Sequence, residues 1–290
     1  LGWGRVLVVK TPKKSALVEG GMDILAHATE SWSLLGPHPH IVACHYIREI
    51  DGLRRIFLDC MPGGSLAAHM GEGRLPDPAR RMELMRQAAL GLAHAHGEGL
   101  AHQGLTPANI FIDGRGAARV SDFGLSRAWN KNGGQALSPF ASPEAQNGKE
   151  IGPAGDVWSL GLVILALFSK EQAWEDGSKG PDILAERMGP GEEDPLPKDL
   201  DQLLSKCFEA DPANRPDCDE IAQHLSDLAL KNWGLDVGGD PLELDEPSGL
   251  NNLALARLDL AEEEESIGYW AEALSQNPGH GDAANNQELW

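Results

Sequence analysis

Long apolar runs, paired cysteines and positive charge are all scarce in this chain. No apolar stretch reaches the roughly 20 residues needed to cross a bilayer, and the chain opens without a secretory leader pattern. A membrane partner is therefore not expected. The four cysteines, Cys44, Cys60, Cys207 and Cys218, have no C-x-x-C spacing. That argues against a disulfide framework or a zinc site and for free thiols in a reducing, cytoplasmic compartment. Lys and Arg number 24 against 44 Asp and Glu, a formal net charge of −20. A balance this acidic disfavours nucleic acid as a partner and favours solubility. The stretch after Trp233 carries a single Arg, Arg257, and reads as a solvated acidic surface. The chain begins on Leu1 rather than Met, so a fragment is expected. Its 290 residues, 41% hydrophobic, suffice for one large core or two domains.

The most informative stretch is 101–124, A-H-Q-G-L-T-P-A-N-I-F-I-D-G-R-G-A-A-R-V-S-D-F-G. Asn109 precedes the apolar run Ile110-Phe111-Ile112, and Asp122 follows Ala118-Arg119-Val120-Ser121. Asp113-Gly114 is a hairpin-turn dipeptide between short strand-like runs. Pairing those runs brings Asn109 and Asp122 to one end of a small sheet. An amide oxygen beside a carboxylate is a hard-oxygen pair, suited to a divalent cation that keeps its waters and a polyphosphate.

This stretch resembles the catalytic loop and D-F-G element of protein kinases, H-R-D-x-K-x-x-N followed by D-F-G. His102, Pro107, Asn109, Asp122, Phe123 and Gly124 match. Gly104 stands where the family has its catalytic Asp. Thr106 replaces the Lys that neutralises the γ-phosphate, and Gln103 replaces the Arg that reads a phosphorylated activation segment.

Other segments extend the resemblance in order. Residues 5–10, R-V-L-V-V-K, form a strand signal ending at Lys10, where the family has the lysine that holds the α/β-phosphates; alone it reads equally as an ordinary strand-end lysine. Too few residues precede it for a G-x-G-x-x-G loop, and Gly2 and Gly4 do not supply one. Residues 18–35 have helical spacing, with Ile24, Leu25, Ala28, Trp32 and Leu35 in one stripe. Taking His38-Pro39-His40 as the turn after this helix puts Ala28 where the family has the glutamate partner of the strand lysine; a shifted register would offer Glu30 instead. The two turn histidines read as satisfied surface residues. Residues 56–60 read as a strand, followed by the turn Met61-Pro62-Gly63-Gly64. The resemblance makes Leu58 the gatekeeper and sets adenine against the backbone near Asp59 and Met61. Asp77-Pro78 starts a buried amphipathic helix in which Met85 and His96 are core residues. Ser142-Pro143-Glu144 is similar to A-P-E. The run through Asp156 to Phe168 is similar to the buried helix whose Asp holds the catalytic-loop backbone. Arg215 is the expected ion-pair partner of Glu144.

After a Gly/Pro/Asp linker at 233–249, Leu253, Ala254, Trp270, Ala273 and Pro278 fall on tetratricopeptide-repeat spacing, with helices expected at 250–260 and 265–275 and a further repeat starting at 282. Arg257 departs from that pattern, and a plain αα-hairpin is the alternative.

The whole resembles a degenerate bacterial-type Ser/Thr protein kinase-like domain followed by a tetratricopeptide repeat. The expected class is α+β: a truncated β-rich N-lobe (1–61), a helical C-lobe (62–232), a linker (233–249) and a helical hairpin (250–290). The resemblance implies weakened ATP and Mg2+ binding through Lys10, Leu58, Asp59, Met61, Asn109 and Asp122, with metal on Asn109 and Asp122. It also implies protein partners for the hairpin. Three functions compete: a pseudokinase with a signalling or scaffolding role, an active Ser/Thr kinase, and a scaffold acting only through its repeats. Asp113 is the nearest spare carboxylate in sequence, but its turn is expected to point it away.

Overall fold

The computed structural model describes residues 6–12, 20–128, 138–148, 151–169, 174–188, 196–236, 250–251, 254 and 263–288. Strands β1 (Leu7–Lys10), β2 (Cys44–Ile50) and β3 (Leu53–Asp59) form an antiparallel sheet in the order β1-β3-β2. Asp51 and Gly52 close the β2–β3 hairpin with positive φ at both positions (57° and 69°), the geometry that fits the twist of the flanking strands. Lys10 faces Ile56 and Val8 faces Leu58 across the β1–β3 pair. Ile56 and Leu58 are buried, whereas Val8 and Val9 on the edge strand are exposed.

Helix α1 (Gly21–Ser33) packs on this sheet and buries Leu25, Ala28 and Trp32; of the rest of the expected stripe, Leu35 is buried just past the helix and Ile24 is half-buried. The Trp32 indole N–H donates to the Val42 carbonyl at 3.0 Å, tying the helix to the chain that enters β2. The first two residues of the helix expected over 18–35 lie outside the described residues.

The helical part is built around two long helices. Helix α2 (Leu66–Gly71) is capped by Ser65. Helix α3 (Pro78–Gly97) starts where Asp77 accepts from the Arg80 amide at 3.0 Å. Helix α4 (Pro143–Gln146) is a single turn. Helix α5 (Pro153–Ser169) is buried at every position from Gly155 onward, which is why its apolar residues show no single face. Helices α6 (Gly180–Arg187), α7 (Leu200–Cys207) and α8 (Cys218–Trp233) complete the layer; α8 runs along α3 and opens on an Asp217–Glu220 capping box.

Met85 lies in the core as expected, and the His96 side chain, 12% exposed, bonds to a buried carboxylate described below. Of the two turn histidines, His38 is half-buried and His40 is not a surface residue. His40 is buried and its Nδ1 donates to the Ala118 carbonyl at 3.2 Å. His38 stacks on His94 with centroids 4.6 Å apart, and burial together with that neighbour lowers its pKa to about 3.

Further along, Leu250, Asn251 and Ala254 are helical; the remainder of the helix expected at 250–260 lies outside the described residues. Two helices follow, Glu263–Gln276 and Gly281–Glu288. Ala254, Trp270, Ala273 and Ala283 make a small separate core. The Asn251 amide oxygen accepts from Trp270 Nε1 at 3.1 Å and from Asn286 Nδ2 at 3.0 Å. All four cysteines are free thiols. Burial raises the pKa of Cys44 and Cys218 and pushes Cys207 up to about 12, whereas Cys60 is half-buried.

Candidate functional site

The site grows from the hairpin of β4 (Ile110–Ile112) and β5 (Ala118–Val120), paired Ile110 to Val120 and Ile112 to Ala118. Its open end is closed by the Ser121 amide donating to the Asn109 carbonyl at 2.9 Å, so Asn109 and Asp122 leave the hairpin side by side as expected. The far end differs from expectation. Asp113-Gly114 is not the centre of a two-residue turn; the loop runs from Asp113 to Ala117 and the positive φ falls at Gly116 (87°). Asp113 acts as an internal brace. Its Oδ1 accepts from the Arg115 and Ala117 amides (2.8 and 2.9 Å) and its Oδ2 from Arg119 Nε (3.0 Å). Burial raises its pKa, but those three donors outweigh burial and the net shift is downward. The spare carboxylate is thus ionised, occupied and at the wrong end of the hairpin to serve position 104.

The loop before the hairpin is held from beneath. Asp156 of α5 accepts from the His102 amide (2.6 Å), the Gln103 amide (2.8 Å) and His96 Nε2 (2.9 Å). Those bonds keep Gln103 at φ 62°, a left-handed conformation that glutamine seldom adopts. His102 is fully buried. Its Nε2 donates to the Ser121 carbonyl at 2.8 Å, and its ring lies 4.9 Å from Phe123. Desolvation holds its imidazole neutral against the upward pull of Asp156.

Lys10 reaches down from β1 and pairs with Asp122 Oδ2, a contact the sequence reading did not include. Phe123 is buried 6.2 Å from Trp32, and Gly124 sits under Ala28: a β-carbon there would lie 3.1 Å from the Ala28 methyl. Ala28 thus faces the D-F-G element with no carboxylate to offer. Asn109 donates its amide nitrogen to the Gly104 carbonyl at 3.0 Å, which directs the amide toward the loop. Thr106 caps the short helical turn Pro107–Asn109, its hydroxyl accepting from the Ala108 amide at 3.3 Å. Its side chain therefore serves the backbone.

Position 104 holds a finding that the sequence reading missed. The space beside the Gly104 α-carbon is filled by Ser126. A β-carbon on residue 104 would stand 2.6 Å from the Ser126 hydroxyl and 2.7 Å from its Cβ. The Ser126 hydroxyl donates to the Gln103 carbonyl at 2.7 Å.

Leu58 is buried in β3 next to Cys44 of β2. Asp59 is fixed from two sides: its amide donates to Ala43 O at 3.1 Å, and His45 Nε2 lies 2.7 Å from its Oδ1. Met61 follows, and its carbonyl accepts from the Gly64 amide at 3.1 Å. Gly63 and Gly64 exchange backbone bonds with Ile112, so this turn and the hairpin are one framework. Lys10, Leu58, Asp59, Met61, Asn109 and Asp122 all belong to elements meeting along this line. Residues 129–137, the middle of the expected activation segment, lie outside the described residues.

The segment resembling A-P-E is anchored as the sequence suggested. Arg215 donates to both Glu144 oxygens (2.5 and 3.1 Å), to Ala154 O (2.8 Å) and to Glu209 O (2.9 Å), and its guanidinium lies 4.8 Å over the Trp158 ring.

Among the described residues, no cluster of three or more His, Cys, Asp or Glu side chains could hold a metal, and no helix is long and apolar enough to cross a membrane. A cation here would thus rest on Asn109 and Asp122 plus oxygens from a bound polyphosphate and water, a donor set that suits Mg2+.

Comparison with known proteins agrees with this geometry. The family model described as "Protein kinase domain" matches residues 3–225. Mitogen-activated protein kinase kinase kinase 20 of Arabidopsis thaliana is 33% identical over 213 residues, covering 66% of this chain and 61% of that protein. NUAK family SNF1-like kinase 2 of Rattus norvegicus is 27% identical, covering 80% and 37%, and dual specificity protein kinase shkE of Dictyostelium discoideum is 26% identical, covering 78% and 33%. The chain therefore spans between one third and 61% of the length of these relatives, all of which are eukaryotic proteins.

Proposed function

The chain belongs to the protein kinase family, and from that premise we propose that it is a nucleotide-holding module with impaired phosphoryl transfer, a pseudokinase that signals or scaffolds. Protein kinase domains use ATP and Mg2+. In this reading Lys10 meets the α/β-phosphates, Asn109 and Asp122 hold the metal, and the backbone at Asp59 and Met61 receives adenine beside Leu58. The ion pair between Lys10 and Asp122 keeps both groups at the place where phosphate and metal would sit, and incoming phosphate and cation would separate them. The C-terminal hairpin is read as a tetratricopeptide-type module for protein partners. The separate core of Ala254, Trp270, Ala273 and Ala283, small residues around one aromatic, supports that reading.

The observation that carries the proposal is the content of position 104. A kinase base must accept the proton of the acceptor hydroxyl from within hydrogen-bond reach. Gly104 has no side chain, and its neighbour Ser126 is a neutral hydroxyl engaged with Gln103. Asp113, Asp122 and Asp156 are each committed elsewhere. Loss of a general base costs about two to four orders of magnitude in rate.

The test is transfer of labelled γ-phosphate to a generic protein substrate, expected at background. Transfer at ordinary kinase rates sinks the proposal and leaves the second reading, an active Ser/Thr kinase. That reading is favoured by the retained Lys10, Asn109 and Asp122, because phosphoryl transfer depends mostly on positioning and charge. Nucleotide binding is read separately: Mg–ATP should raise the melting temperature, and Asp122→Ala should abolish the rise.

A further inference from the structure

Glycine at 104 is usually accounted for by what it lacks, yet its surroundings supply a positive reason for it. Its backbone does not call for glycine: Gly104 is not among the residues with positive φ. The requirement is space. A β-carbon at 104 would approach the Ser126 Cβ to 2.7 Å, a separation that rotating the hydroxyl cannot relieve. Ser126 is fixed as well. It belongs to the helical turn Leu125–Ala128 that packs on α1, its hydroxyl is bonded to Gln103 O, and the first and last residues of that turn, Leu125 and Ala128, are buried. Gln103 is itself locked in the left-handed region by Asp156. Both sides of the contact are thus immobilised, one by α5 and the other by α1.

We propose that Ser126 is a wedge seated on the catalytic loop, and that Gly104 and Ser126 form a steric lock that ties this loop to the turn Leu125–Ala128 and fills the volume where a catalytic side chain would otherwise stand. This deepens the reading of position 104 given above and rests on it. Two consequences follow. Restoring an acidic residue at 104 does not rebuild an active site while Ser126 remains, because the new side chain and the wedge need the same volume. Any event that frees position 104 must move Leu125–Ala128, and with it the surface that meets α1.

The experiment is a set of paired substitutions read without nucleotide. Gly104→Ala should lower the melting temperature by roughly 5 °C, from overpacking. Ser126→Ala keeps the offending Cβ and should not rescue it, whereas Ser126→Gly removes that carbon and should recover most of the loss in the double variant. If Gly104→Ala does not fold, the Gly104→Ala/Ser126→Gly protein should fold and the Gly104→Ala/Ser126→Ala protein should not. Backbone amide exchange in 125–128 should rise in Gly104→Ala. A wild-type melting temperature for Gly104→Ala, equal rescue by Ser126→Ala and Ser126→Gly, or no rescue by either overturns the wedge. Because these readings contain no ATP, they can fail while Mg–ATP still stabilises the protein. The nucleotide reading can equally fail while the coupling between 104 and 126 holds.

Discussion

Two cation–carboxylate pairs join distant parts of this chain, and they are built differently. Arg215 and Glu144 meet where the segment before α5 crosses the loop before α8. The arginine side chain is fully buried, both carboxylate oxygens are used, two carbonyls take up remaining donors and Trp158 covers one face. Lys10 and Asp122 meet between the sheet and the hairpin. The lysine is 42% exposed and meets one carboxylate oxygen, the other accepts from the Ser121 hydroxyl at 3.2 Å, and among the described residues no second bond to the Lys10 ammonium accompanies the pair. The first arrangement leaves no room for exchange and holds the fold. The second can be separated by a ligand that brings its own charges. Both pairs stand at positions that match the kinase pattern, but the departures at 104 and 106 lie in the loop beside Asn109, which bonds to Gly104, and the departure at 28 lies against the D-F-G glycine.

Breaking the buried pair should give the largest effect. Arg215→Ala removes one partner and leaves Glu144 partly buried and unpaired, a loss of about 3–5 kcal/mol by chemical denaturation. A loss below about 1 kcal/mol would erase the contrast. The pH profile sharpens it. Burial raises the Glu144 pKa, but the Arg215 bonds outweigh burial and leave it below the ordinary value of 4.5. A depressed folded-state pKa gives stability that is present above the unfolded value and lost as pH falls through the folded one. Glu144→Gln should therefore be less stable than the wild type at pH 7, and the gap should close progressively below about pH 4.5. A gap independent of pH would show that the pairing charge is not its source. The smallest stability effect belongs to Lys10→Ala, expected to cost under about 1 kcal/mol because the pair is partly solvated. The same change should nevertheless remove the melting shift produced by Mg–ATP. A large loss of stability without nucleotide would place Lys10 with Arg215 rather than opposite it.

Much of this was legible because the signals were local. The start of α3 lay in Asp77-Pro78, the burial of α5 in an apolar run without a polar face, and the strands β4 and β5 in two short runs around a turn. Strand β2 was harder to see. Cys44 and His45 are adjacent yet both buried, because the register shifts between Cys44 and Tyr46 and breaks the alternation that marks a strand. The turn dipeptide Asp113-Gly114 misled for a related reason: a buried aspartate that braces a longer loop looks the same in sequence as one at a tight turn. The histidines at 38 and 40 were misplaced because nothing in a turn motif reports that α3 supplies His94 as a stacking partner. At the candidate site, Lys10, Asn109 and Asp122 could be named from the motifs. The seating of Ser126 on Gly104 could not, since it joins two loops whose positions are set separately by α5 and α1.

The distribution of sulfur across the molecule has a practical sequel. Three of the four thiols are sealed in the interior and kept protonated by it, while Cys60 alone has access to water, and it lies between Asp59 and Met61. In the native protein an alkylating reagent should therefore mark one position, without any cysteine having to be engineered away. A fluorophore placed there would report directly on whatever docks against that stretch of backbone, and a rise in labelling stoichiometry from one towards four would time the opening of the interior.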